Sequence, residues 1–367
     1  MKSSVCRLLV SVFVFLLSLS LGFGQKEPSP ADTFLLKDYR PQSIYKIPIT
    51  RVEKAKYPVI DVHSHTYAKT LEAIDRWVQV MDEVGVEKTI ILSGATGEEF
   101  DKIYDDHAGR YPDRFQIWCG FDFEGADEPG WSDKAVKELV RCYNKGARGV
   151  GEIGDKGKGF IFGGPKPAPG LHANDPRMDP LFEKCAELGI PVNIHVADPY
   201  WMYQPMDAHN DGLMNAAEWR LDNQEGILSH EEMLLTLEGA CSRHPKTTFI
   251  ACHFANCSHD LARLGTMFDK YPNLNADISA RYAETSPIPR YVKKFIEKYQ
   301  DRLLYGTDMG VNPEMYRITF RVLETADEHF YEQELFGYHW SMNGFDLEPS
   351  LLEKIYRTNA LRLLSKE

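Results

Sequence analysis

The chain has 367 residues, with 42 Lys and Arg against 54 Asp and Glu, for a net charge of −12. That acidic balance weighs against a general binder of nucleic acid or of anionic membrane surfaces. Seven cysteines in so long a chain are too few for a disulfide framework.

The N-terminus reads as an export signal. Lys2 and Arg7 precede an uncharged, mainly apolar stretch over 8–21, and small residues Gly22 and Gly24 follow. The apolar stretch is too short to span a bilayer comfortably, so residues 1–24 are expected to be cleaved after Gly24. Cys6 precedes the apolar stretch and cannot serve as a lipoprotein cysteine. The mature chain of 343 residues would carry a net charge of −14 and six cysteines, expected to be buried thiols. An exported protein, periplasmic or secreted and free of the membrane after cleavage, follows. Over 25–57, Pro28, Pro30, Pro41 and Pro48 interrupt any helix, which predicts an extended arm. Residues 58–367 then form one domain.

Eight apolar, β-branched runs recur at 59–65, 88–95, 115–122, 147–154, 191–197, 247–254, 274–280 and 303–310. Between them, amphipathic patterns predict helices over 70–84, 132–145, 178–188, 230–242, 260–270 and 288–299. Gly85, Gly146 and Gly189 stand where a helix must turn at once into a strand. Eight strands alternating with helices predict an α/β fold, a TIM-type (β/α)8 barrel. Long connections over 155–177 and 198–229 leave the C-terminal strand ends and are expected to wall the substrate site. A closing amphipathic helix is predicted over 347–364.

The ligand-type residues fall on this scaffold in order. His63 and His65 end the first strand, where positions i and i+2 share a face. Glu152 lies on the fourth strand, His195 ends the fifth, His253 ends the sixth, and Asp308 sits on the eighth. All six reach the same end of the barrel, so they can surround one or two divalent metal ions. Imidazole and carboxylate donors suit zinc first, with manganese, nickel or iron next. Taken singly, each has a plainer role: Asp308 as a helix N-cap, Glu152 as a partner of Lys156, His195 as a core histidine.

The set His63-Ser64-His65, Glu152, His195, His253 and Asp308 resembles the amidohydrolase superfamily of metal-dependent barrel hydrolases. The phrases Leu304-Tyr305-Gly306-Thr307-Asp308 and Asn359-Ala360-Leu361-Arg362-Leu363-Leu364 are similar to its amidohydrolase-2 branch. That resemblance implies hydrolysis of a small-molecule ester, lactone or amide by a metal-activated water, with Asp308 and His253 catalytic. The branch also contains nonoxidative decarboxylases of aromatic or unsaturated acids, which is the alternative. Those members typically hold one metal without an acid on strand four, whereas Gly151-Glu152-Ile153-Gly154 looks like binuclear TatD-type nucleases. If Glu152 bridges, His63, His65 and Asp308 complete one site, and His195 with His253 the other. Otherwise one ion takes His63, His65, His195 and Asp308.

Arg281 and Lys156 are the expected cations for a substrate carboxylate, and a pair with Glu284 is the plainer role of Arg281. Trp201, Tyr203 and Trp219 in the fifth loop could stack a ligand, even in a noncatalytic binding protein. A small-molecule substrate is the expected partner, with a homo-oligomer open. A nuclease role ranks last, because few basic runs are present to follow a phosphate backbone.

Overall fold

Eight strands follow one another round the fold in the order the apolar runs predict. They are β1 (Val59–Ser64), β2 (Val86–Leu92), β3 (Phe115–Trp118), β4 (Val150–Asp155), β7 (Val192–Val196), β8 (Phe249–Ala251), β9 (Leu274–Asp277) and β10 (Leu303–Leu304). Two short antiparallel strands, β5 (Gly159–Phe162) and β6 (Ala168–Pro169), leave β4 as a side ladder. The computed structural model describes residues 29–364; the expected export signal at 1–24 lies outside them.

The regular ladders form two sheets, β1-β2-β3 and β10-β9-β8-β7-β4-β5-β6. Backbone hydrogen bonds join them at both seams. Cys119 N–H donates to Gly149 O and Gly151 N–H to Cys119 O between β3 and β4, while Val62 N–H donates to Tyr305 O between β1 and β10. The TIM-barrel arrangement is therefore present, with its thinnest ladder at the two-residue β10.

Strand parity sorts the side chains. Ile60, Val62, Ile90, Leu92, Trp118, Ile250 and Leu304 form one cluster inside the ring of strands, closed below by Ala360 and Leu363. The other parity packs against the surrounding helices in a much larger cluster. Helix Leu71–Val84 shows how that works: Ile74, Trp77, Met81 and Val84 make its buried stripe, Thr70 accepts the Ala73 N–H at its start, and Gly85 caps its end at φ 88°. Gly189 caps Asp179–Leu188 in the same left-handed way, at φ 68°.

Two helices, Gly97–Asp106 and Pro313–Glu324, complete the outer layer beyond those the pattern predicts. The closing segment starts at Pro349 and is interrupted by a wider turn at Lys354–Thr358 before Asn359–Leu364. Pro30 opens a helical turn, Pro30–Thr33, because its fixed φ suits a first helical position. Residues 41–58 have no regular element. Thr50 is nevertheless tied to Asp327 by its N–H at 2.8 Å and its hydroxyl at 2.7 Å. Among the described residues all six cysteines are buried and free, and no helix is long and apolar enough to cross a membrane.

Candidate metal centre

At the C-terminal ends of the strands the backbone is under strain. Ala197, His253, Ala280 and Asp308 follow β7, β8, β9 and β10 with φ of 62°, 60°, 54° and 57°, a region that side chains with a Cβ avoid. Each marks the point where the chain turns out of the sheet and aims a functional group inward or across the mouth.

The six expected ligands meet here. Glu152 is the centre of the arrangement, and its two oxygens divide the histidines between them. Oε2 lies 3.7 Å from His63 Nε2 and 3.3 Å from His65 Nε2. Oε1 lies 2.7 Å from His195 Nδ1 and 3.5 Å from His253 Nε2. Asp308 divides in the same sense: Oδ1 is 3.6 Å from His63 Nε2 and 3.0 Å from His65 Nε2, and Oδ2 is 3.7 Å from His253 Nε2.

Each imidazole is held at the ring nitrogen facing away from this centre. His63 Nδ1 meets Asp277 Oδ2 at 3.0 Å, and His65 Nδ1 meets Leu92 O at 3.0 Å. His195 Nε2 meets Asp198 Oδ1 at 3.1 Å, and His253 Nδ1 meets Ser279 Oγ at 2.8 Å. Such backing sets the tautomer and leaves the opposite nitrogen as a donor to a metal. Among the described residues, buried His63 Nε2 has no hydrogen-bond partner, as suits an atom that serves as a metal ligand. The donors of His63, His65 and Asp308 lie within 4.8 Å of one another, as do those of His63, Glu152, Cys252 and His253. These two sets fit one or two divalent cations; His195 stands in neither and reaches the centre through Glu152.

Charge binds the cluster together. Burial disfavours a charged His63, yet Asp277, Asp308 and Glu152 lift its pKa well above the usual imidazole value. His65 is raised to about 9, its burial outweighed by hydrogen bonds to Asp308 and Glu152. Burial would raise the carboxyls of Glu152 and Asp308, but the facing imidazoles hold both below the usual range. His253 moves down, first through burial and then through the charge of Arg281.

Around the centre, Asp308 does not cap a helix; Asn312 does that for Pro313–Glu324. Lys156 Nζ pairs with Asp198 Oδ2 at 2.9 Å, on the far side of the carboxylate that backs His195. Arg281 is buried beside His253, bonds Asn256 Oδ1 through Nε at 3.1 Å, and stands 3.6 Å from Glu284 Oε1. Trp201 rests on Trp340 with ring centroids 5.7 Å apart, and Tyr203 stands edge-on to His230 at 5.6 Å. Phe162, carried by the side ladder, presents its edge to His195 at 5.4 Å.

Three participants are absent from the sequence reading. Asp277 backs His63, accepts the His253 N–H at 2.9 Å and the Asn193 amide at 3.1 Å, and so sets two ligands at once. Its position two residues along β9 from buried Asn275, on the same face, was the available signal. Asp198 follows His195 by three residues. Tyr67 donates its hydroxyl to Asp308 Oδ1 at 3.3 Å.

Residues 60–366 match the amidohydrolase-2 family model, described as Amidohydrolase. No curated protein matches the chain. Among solved structures, 2,6-dihydroxybenzoate decarboxylase from Rhizobium is similar at TM-score 0.54 and 18% identity, over 84% of this chain and 98% of that one. A dihydroxybenzoic acid decarboxylase from Polaromonas sp. JS666, with bound manganese and the inhibitor 2-nitroresorcinol, gives 0.52 and 17%, over 84% and 97%. A TIM-barrel protein from Bordetella bronchiseptica gives 0.52 and 15%, over 84% and 98%. At these identities the solved structures establish the barrel fold, and the family match over most of the chain settles the rest: this protein belongs to the amidohydrolase family, a family of metal-dependent enzymes.

Proposed function

We propose that the protein is a metal-dependent hydrolase acting on an ester, lactone or amide bond of a small molecule. One observation carries the reading: the two oxygens of Glu152 are shared between two pairs of histidines, the disposition of a carboxylate that bridges two ions. His63, His65 and Asp308 would hold one cation, and His195 with His253 the other, zinc being the first choice for such donors. A bound divalent cation supplies Lewis acidity and brings the pKa of water down towards about 7.

The chain's own groups do the rest. Asp308, kept ionised by the facing imidazoles, accepts a proton from the attacking water and returns it to the leaving group. Its Oδ1 is oriented by the Tyr67 hydroxyl. His253, its Nδ1–H given to Ser279, keeps the Nε2 lone pair turned to the centre, where it would hold the cation that steadies the oxygen gaining negative charge.

The test is chelation followed by metal restoration, assayed on esters, lactones, amides and phosphodiesters. Activity is expected to disappear and return; turnover persisting in the metal-free protein rejects the mechanism.

Decarboxylation of an aromatic or unsaturated acid is the second reading. The decarboxylases among the structural neighbours and the buried Arg281 beside His253 favour it. Arg281 is already engaged by Asn256, by the Ala280 carbonyl at 3.1 Å and by Glu284, which leaves less of it for a substrate carboxylate. Carbon dioxide release from a panel of carboxylates, with one metal per chain, would decide for it. We further propose an exported enzyme, periplasmic or secreted, that works on small molecules rather than nucleic acid.

A further inference from the structure

The fifth loop is a folded excursion with its own small core. Met202, Ala216 and Leu221 are buried together, with Met206 and Ile227 packed against them. The loop is stitched to the one after β4, since Leu228 N–H donates to Gly157 O at 3.0 Å. Between the two loops lies a cavity of about 380 Å³.

Trp219 stands in its wall with 61% of its surface exposed. The neighbours Ala216 and Leu221 are turned into the small core, so the indole is turned out by the fold of the loop. Among the described residues it has no aromatic or hydrogen-bonding partner for its ring. An apolar platform left bare in a concavity is the usual form of a stacking site. Ile161 and Ile227 extend the apolar lining.

The polar lining chooses the ligand. Lys158 and Glu218 both line the cavity, and among the described residues neither side chain has an ion pair or hydrogen bond. Lys156 and Asp198 neutralise each other at 2.9 Å, and Arg220 is paired with Asp222 at 2.7 Å. An anionic ring would meet the free Glu218, and a cationic ring the free Lys158. An uncharged ring bearing hydroxyls satisfies both, because each hydroxyl donates and accepts.

Asp198 also connects the cavity to the metal centre. Its Oδ2 is on Lys156 at the cavity, and its Oδ1 is on His195 at 3.1 Å. We infer that this cavity is a carbohydrate subsite, in which an uncharged sugar ring stacks on Trp219 with its hydroxyls on Lys158 and Glu218. The ring belongs to a substrate whose scissile bond lies at the histidines, and that second statement rests on the hydrolase reading.

The protein has six tryptophans, so the metal-loaded full-length chain labelled with 5-fluorotryptophan gives a resolvable fluorine NMR spectrum, and W219F assigns the Trp219 signal. The probes are the methyl glycosides of glucose, galactose, mannose and xylose, with benzoate and phenyl phosphate as charged rings. A saturable shift of the Trp219 signal is expected with at least one glycoside and with neither charged ring. W219F and E218A should each weaken glycoside binding by calorimetry about tenfold, at unchanged metal content. No glycoside response, a response to the charged rings alone, or full binding by W219F would overturn the subsite. Glycoside binding in a protein that hydrolyses nothing leaves the subsite standing and removes only the hydrolase reading.

Discussion

Asp277 and His63 face each other at 3.0 Å with both side chains fully buried, and the same carboxylate accepts the backbone N–H of His253 at 2.9 Å. Two ligands from two strands thus take their orientation from a third strand. Replacing Asp277 with Asn leaves the volume and removes the charge that holds the His63 tautomer. We expect metal affinity to fall about 10–100-fold, with the fold intact by circular dichroism. Metal titration of D277N at wild-type affinity would show that His63 needs no such partner.

Glu152 offers a stoichiometric test. Its oxygens serve separate histidine pairs, so E152Q should reduce bound metal from two ions to one per chain. Elemental analysis after dialysis reads this directly, and a wild-type count of one would remove the bridging role.

Asp308 is the expected proton carrier. D308N should lower kcat by about 10²–10⁴-fold while the protein stays folded. Y67F removes only the hydroxyl that orients Oδ1, so its loss of kcat should be smaller and its pH–rate profile displaced. Equal kcat for D308N and wild type would remove Asp308 as the proton carrier.

Much of this could be read from the residues alone. The apolar runs locate the eight parallel strands because buried parallel strands need continuous β-branched side chains, and the ligands are conspicuous as charged or imidazole groups ending such runs. Asp277 and Asp198 escape because a backing carboxylate has no spacing rule of its own; its meaning lies in which strand it faces. The side ladder β5–β6 escapes as well, since Gly159 and Gly163 look like loop residues until Phe162 is seen against His195. The residues that gather at the candidate site were thus legible, and the supports that hold them were not.

Gly149 shows how tightly the interior is filled. A Cβ there would lie 2.2 Å from the Trp118 ring, which is fully buried and cannot swing away. G149A should cost about 1–3 kcal/mol of stability by overpacking. Urea unfolding measures it, and an unchanged midpoint would mean that the seam between β3 and β4 yields.

Asp327 gives the acid dependence. Burial would raise its pKa, but Thr50 and then Arg321 hold it below the usual carboxylate value. A group depressed in the folded state contributes fully above its unfolded pKa of about 4 and loses that contribution as pH falls through the folded value. The melting temperature of D327N should lie a few degrees below wild type at pH 7, and the gap should narrow below pH 4. A gap independent of pH would assign the effect to packing.

The seam between β1 and β10 has a consequence of its own. Among the described residues no regular ladder joins β1 to β10, yet His63 and His65 stand on one side of that joint and Asp308 on the other. A cation gripped by all three would act as a rivet where the cylinder is weakest, so that loading the centre and sealing the barrel would become a single event.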